Sequence, residues 1–338
     1  MKAAILEKLN APLTIRELEP TPLKVGQVYV KVLASGLCGA QLHEIRGHRG
    51  NEKFLPHPMG HEGCGIVKEV GPGVTTVKEG DKVVMHWRPG SGIESFFPQY
   101  ILDGKTITGG KCTTLSEYSI VSENRLTTVP EDTPTVLAAM LGCSLTSALG
   151  IIDNECDLKF GESVAVIGCG GVGLNLLQAA KMRNAFPVYG VDVNDNMFNL
   201  SRQMGADIFA SNIEYVDSEV DVILDTTGVP DVIAKAFDLL APSGRLILVG
   251  QPAPGTNLNL LNPLSMFDGQ GKSIRASQGG GTKPEVDIPR YVRLANAGAL
   301  EYETLHTDTF SLDEINDAFD LLKSGNAGRI MIKIGEND

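Results

Sequence analysis

Three residues with ligand chemistry stand in glycine-marked settings far apart in the chain. Cys38 lies in Gly36-Leu37-Cys38-Gly39, His61 in Gly60-His61-Glu62-Gly63, and Cys143 in Leu141-Gly142-Cys143-Ser144. Thiolate sulfur and imidazole nitrogen are the donors that zinc takes. No two of the three are close in sequence, so spacing leaves a plainer alternative open: each cysteine a small buried apolar residue, the histidine a solvated loop residue. A second constellation is contiguous. Gly168-Cys169-Gly170-Gly171-Val172-Gly173 follows the apolar run Val164–Ile167 and opens a helical stretch, and Asp192 ends the next strand, nineteen residues beyond Gly173. In that context a GxGxxG binds a dinucleotide. Gly168 permits the tight turn, Gly170 lets a pyrophosphate approach the backbone, and Gly173 allows close helix–strand packing. Gly171 and Val172 open the helix whose free N–H groups and positive dipole end face the phosphates. A carboxylate at Asp192 accepts hydrogen bonds from ribose hydroxyls and repels a 2′-phosphate, which favours NAD over NADP.

The elements that must position these groups fall into two rhythms. The first 130 or so residues read as short β-runs closed by glycine and proline: Val28–Val32, Gly65–Gly71, Asp81–Met85 and Leu115–Val121, with Gly71-Pro72-Gly73 and Pro89-Gly90 as punctuation. Residues 90–112 read as a loop rich in Gly, Ser, Pro and Thr. From about residue 160, strand and helix alternate. Strands are expected at Val164–Ile167, Val188–Val191, Val220–Leu224 and Leu246–Val249, and helices at Leu174–Met182, Met197–Met204 and Val232–Leu240. Alternation of this kind is the signature of a doubly wound parallel sheet. A helix at Leu312–Lys323 and a strand at Arg329–Ile334 close the chain; that strand has no sheet nearby in sequence and is expected to return to the first domain.

With 338 residues the chain suits two domains, and 42% hydrophobic with 21% charged residues excludes a disordered chain. Thirty-eight glycines exceed the usual share of about 7% and point to many turns and close backbone approaches. A net charge of −12 disfavours nucleic acid and anionic membranes as partners. Six scattered cysteines are no disulfide framework. Met1–Lys8 has no apolar stretch fit for a secretory leader, and the uncharged run Ser163–Ala180 is broken by glycines, Asn175 and Gln178 rather than built to span a membrane. A cytoplasmic protein with reduced thiols is expected.

Several motifs in order resemble the zinc-dependent medium-chain alcohol dehydrogenases, within the medium-chain dehydrogenase/reductase superfamily. They are Gly60-His61-Glu62-Gly63-Cys64-Gly65, Val70-Gly71, Gly80-Asp81-Lys82-Val83, the GxGxxG with Gly190-Val191-Asp192, and the tail Leu312–Leu322 with Gly325 and Arg329; they span nearly the whole chain. The resemblance implies an α/β architecture: a GroES-like β-barrel catalytic domain at 1–146 and 281–338, and a Rossmann NAD-binding domain at 147–280. It implies a catalytic zinc held by Cys38, His61 and Cys143, with Glu62 behind the metal, His43 near the nicotinamide ribose as a proton shuttle, and Trp87 lining the substrate pocket. Arg329 is implied to contact the cofactor pyrophosphate, and Val249 and Gln251 to border the nicotinamide. The substrate would be an alcohol or carbonyl compound — simple, polyol or sugar-derived — with its oxygen at the zinc between the domains. A homodimer or homotetramer is implied, with Ser273–Gly279 as a candidate edge strand.

Two departures from that family stand out. Residues 88–111 contain no cysteine and Cys112 stands alone, so a structural zinc is not expected. The position that usually carries a relay Ser or Thr is Ala40, followed by Gln41. The missing hydroxyl motivates one rival to the dehydrogenase reading, a reductase of activated C=C bonds on the same fold; a rival of another class is an NAD-binding protein without catalysis, against which the retention of all three ligand-type residues argues.

Overall fold

A computed structural model of the chain describes residues 1–335 except 51, 261, 268 and 269. It divides into two units. The first comprises Met1–Thr146 and Lys283–Tyr302 and resumes at His306. Its hub is the ten-residue strand Gln27–Gly36, in which Val28, Val30 and Val32 are fully buried. Alternation of β-branched residues suits such a pleated, half-buried surface. This strand pairs antiparallel with Glu62–Val70, Tyr118–Ser122 and Arg329–Lys333. Glu62–Val70 continues to Lys82–His86 and then Leu126–Thr128, completing with His306–Ser311 a seven-stranded sheet. The chain's last strand thus lies against one of its first, through Met331–Lys333 opposite Ala34–Gly36.

Residues 90–112, read from sequence as loop, hold a hairpin of Gln99–Leu102 and Lys105–Thr108. Asp103 and Gly104 both take positive φ (50° and 75°), the twist that a two-residue hairpin turn requires. Tyr100, Leu102 and Ile107 supply the buried face. Glu123, fully buried, holds the segments beside this region by accepting N–H bonds from Thr75, Thr76 and Ile93 at 2.7–2.8 Å.

The second unit, Ser147–Thr282 with Glu303–Leu305, is built on a six-stranded parallel sheet. In spatial order its strands are Ile208–Ala210, Val188–Val191, Val164–Ile167, Val220–Asp225, Leu240–Leu248 and Ser273–Ala276. Helices Gly171–Met182, Phe198–Gln203 and Pro230–Asp238 alternate with the strands. The short strand Ile208–Ala210 was not legible in sequence, because its first two residues are exposed or half-buried and carry no apolar period. The order reverses at Val164–Ile167 and Val220–Asp225, and a ligand crevice is expected where such strands end. Ser273–Ala276 is the edge strand at one side of the sheet. Among the described residues, no helix is long and apolar enough to cross a membrane.

Candidate metal centre and dinucleotide turn

In the first unit, Cys38 stands two residues beyond the hub strand and caps the helix Gly39–Ile45, and Gln41 Oε1 accepts its N–H at 2.8 Å. His61 follows Gly60, whose φ of +104° no residue with a Cβ adopts easily; a Cβ there would stand 2.7 Å from Leu115 N. Cys143 lies between helices Thr135–Met140 and Ser144–Gly150. Gly142 lets this turn press onto the strand Glu62–Val70, since a Cβ at 142 would meet Glu62 Cα at 2.8 Å. The result is that the ligand atoms of Cys38, His61 and Cys143 all lie within 4.8 Å of one another. Zn–S bonds of about 2.3 Å and Zn–N bonds of about 2.0 Å set tetrahedral ligands somewhat under 4 Å apart, so the cluster fits one zinc with a fourth position open. Both cysteines are 8% exposed. A hydrogen bond with Cys143, then His61 and the cation of Arg329, holds the Cys38 thiol well below its usual range, against the opposing effect of burial.

Glu62 has no exposed surface. Its Oε2 accepts the Ser144 N–H at 3.2 Å, and its Oε1 meets the guanidinium of Arg329. Arg329, implied by resemblance to touch a pyrophosphate, is 2% exposed and has here a set of partners the sequence did not reveal: Glu62 and Cys38. His43 sits on the helix Gly39–Ile45 with Nδ1 3.2 Å from His48 Nδ1; burial, then the proximity of His48, Arg46 and Arg49, lowers its pKa. Trp87 follows the strand Lys82–His86, half-buried, its carbonyl accepting from Arg125.

In the second unit, Gly168 takes φ +89° and Gly170 caps the helix that Gly171 and Val172 begin. A Cβ on Gly173 would fall onto the Gly168 carbonyl oxygen. Asp192 Oδ2 accepts the Cys169 N–H at 2.7 Å and Oδ1 the Asn194 N–H at 2.9 Å, which fixes the carboxylate beside the turn. A cavity of about 210 Å³ opens here between Gly168, Asp192 and Thr227. Val249 donates its N–H to the Asp225 carbonyl at 2.8 Å, and Gln251 is exposed. Sequence reasoning missed Thr226, whose hydroxyl lies 2.9 Å from the carbonyls of both Ile167 and Gly168 and clamps the turn. It also missed buried Asp225, which accepts from Thr227 Oγ1 at 2.6 Å and from Gly228 N–H at 2.9 Å. Their position at the carboxyl end of a parallel strand beside the reversal was the available signal.

A zinc-type donor set in one unit and a dinucleotide turn in the other define an oxidoreductase of the dehydrogenase class. The comparisons with known proteins agree. Residues 24–131 match the alcohol dehydrogenase GroES-like domain and residues 171–296 the zinc-binding dehydrogenase domain. Alcohol dehydrogenase 6 of Peromyscus maniculatus is 31% identical, over 98% of this chain and 97% of its own length. An S-(hydroxymethyl)glutathione dehydrogenase of Escherichia coli is 30% identical, over 98% and 99%. The structure of benzyl alcohol dehydrogenase from Acinetobacter calcoaceticus superposes with a TM-score of 0.87 at 27% identity, over 99% of each chain. The chain belongs to the zinc-dependent medium-chain alcohol dehydrogenase family, and it is an alcohol dehydrogenase-like oxidoreductase of small molecules.

Proposed function

We propose that the protein is an NAD-dependent dehydrogenase that interconverts a primary alcohol and its aldehyde with one catalytic zinc per chain. The observation that carries this reading is the meeting of Cys38, His61 and Cys143 within 4.8 Å. When bound, the zinc supplies a Lewis acid toward a C–O group, and the nicotinamide a hydride acceptor or donor. In the oxidative direction the alcohol carbon would give up a hydride, which bound nicotinamide would accept, and its hydroxyl a proton. Cys38, His61 and Cys143 hold the metal. Glu62, held by Ser144 and Arg329, orients the cluster from behind, as outer partners of metal sites do. His43 and His48 hold or pass a proton between their Nδ1 atoms, in place of the hydroxyl that Ala40 lacks.

Asp192 supports NAD over NADP, because its carboxylate repels a 2′-phosphate. Gly168, Gly170, Gly171, Val172 and Gly173 serve the pyrophosphate, Val249 and Gln251 the nicotinamide, and Arg329 the pyrophosphate in addition to Glu62. Trp87 borders the substrate. The isolation of Cys112 supports a single zinc, without a structural one. The edge strand Ser273–Ala276 supports a homodimer or homotetramer, and six scattered cysteines that build no disulfide framework support a cytoplasmic setting. Benzyl alcohol and S-(hydroxymethyl)glutathione, named for relatives, share a hydroxymethyl group, which supports a primary alcohol. A panel of alcohols, aldehydes and enones, with NAD and NADP and read at the NADH absorbance, tests the assignment. Turnover of primary alcohols with NAD is expected; turnover of enones alone, or NADP preference, contradicts it.

A further inference from the structure

Two adjoining recesses, one of which reaches His61, together carry more positive charge than their own acids neutralise. A cavity of about 200 Å³ reaches His61 and is bordered by Glu44, Arg49, Phe54 and Phe97. Phe97 and Cys112 also border a neighbouring recess of about 390 Å³, where Trp87, Glu94, Lys111 and Arg125 stand. Both lie wholly within the first unit. Lys111 and Arg125 are largely buried, 21% and 13% exposed, and share one carboxylate, Glu94. Glu94 is itself held by Asn124 Nδ2 at 2.6 Å. The Arg125 Nε–H is buried without an acceptor among the described residues, while another guanidinium nitrogen donates to the Trp87 carbonyl. Arg49 is exposed at the first cavity and has no ion-pair partner among the described residues. The second acid, Glu44, is engaged with His57 Nε2 at 2.9 Å.

Three permanent cations therefore face two carboxylates, in a chain whose net charge is −12. Whichever protonation state His57 takes, the walls are net positive. Lys111 and Arg125, largely desolvated and sharing one counter-ion, favour an anionic occupant, because a second carboxylate or phosphate satisfies the shared charges and the donors left over, and exposed Arg49 adds to the attraction. The Phe54 and Phe97 rings, 6.3 Å apart, and Trp87 offer apolar surface beside the same cations.

We propose that the substrate taken at this site is an alcohol or aldehyde carrying an oxyanion, a carboxylate or phosphate, held by Arg49, Lys111 and Arg125 while the reacting carbon lies toward His61. This rests on the dehydrogenase reading above and narrows it to a charge class. Lys111 and Arg49 are specificity-determining residues here; Arg125 adds charge while anchoring the Trp87 carbonyl.

Calorimetric titration of the zinc-loaded protein with 4-(hydroxymethyl)benzoate, 4-(hydroxymethyl)phenyl phosphate, and the neutral 4-(hydroxymethyl)benzamide tests the proposal without needing turnover. The better of the two anions is expected to bind at least about tenfold tighter than the amide at low salt, with the advantage shrinking as salt rises. Whether carboxylate or phosphate leads identifies the oxyanion. Lys111→Gln and Arg49→Gln should each reduce the anion-to-amide ratio several-fold, and Lys111→Arg and Arg49→Lys should restore much of it. Arg49 is exposed, so its variant remains informative if loss of Lys111 disturbs Glu94. Equal affinity for amide and both anions, or a preference that survives both charge removals, overturns the proposal. The same compounds are then offered as substrates. Oxidation of all three without anion preference sinks this inference and leaves the dehydrogenase reading standing. Anion-selective binding with no turnover of any alcohol sinks that reading and leaves the charged site.

Discussion

The two candidate sites are held by different means. The dinucleotide turn is made of backbone: N–H groups at a helix start, a glycine at φ +89°, and a helix pressed so close that residue 173 has no room for a Cβ. The metal centre is made of side chains gathered from four separate stretches around residues 38, 61, 143 and 329, each delivered by a different strand or turn. A backbone site depends on the absence of side-chain atoms and fails when one is added. A side-chain site fails when a donor is removed, and it is tuned by the partners behind the donors.

The largest expected effect comes from adding an atom. Gly173→Ala places a methyl on the Gly168 carbonyl, where backbone must move. Overpacking of this kind costs about 1–3 kcal/mol, so NADH affinity by fluorescence titration should fall by up to roughly a hundredfold. Zinc content should be unchanged; loss of zinc as well would show that the two sites are not separately built. Next in size is Glu62→Gln, which keeps the shape and removes the charge opposite Arg329. Zinc affinity, measured by competition with a chelator, is expected to drop about 10–100-fold, as for other outer partners. Unchanged affinity would remove Glu62 from the metal site. Smallest is Asp192→Asn, which keeps an acceptor for the Cys169 N–H but takes away the repelling charge. The ratio of kcat/KM for NAD over NADP should fall roughly tenfold, the size of one partly screened charge contact. A constant ratio would mean that another group selects the cofactor.

The same contrast explains what could be read before the structure. The glycine turn and its acid lie within one strand–helix–strand unit, so their local order carried the physics. Parallel strands such as Val164–Ile167 announced themselves as short apolar runs because both faces are buried. For Cys38, His61 and Cys143, sequence spacing carried no such information, and only resemblance to a family joined them. The Glu62–Arg329 contact joins residues far apart in the chain and depends on the last strand crossing back to the hub strand. The sharing of Glu94 by Lys111 and Arg125 depends in turn on how the 90–112 segment folds, and that segment was read as loop from its Gly, Ser, Pro and Thr content, although Asp103-Gly104 between Leu102 and Lys105 is a hairpin-turn pair. Asp225 and Thr226 were hidden for the opposite reason, lying at the end of a strand that was itself correctly placed.

Zinc content and alcohol oxidation, measured together in the wild-type protein and in Cys38→Ser, test the central claim most directly. The expected result is about one zinc per wild-type chain, with both metal and NAD-linked turnover lost in the variant. A wild-type protein that oxidises alcohols with no zinc bound, or a Cys38→Ser protein that keeps metal and full activity, would contradict it.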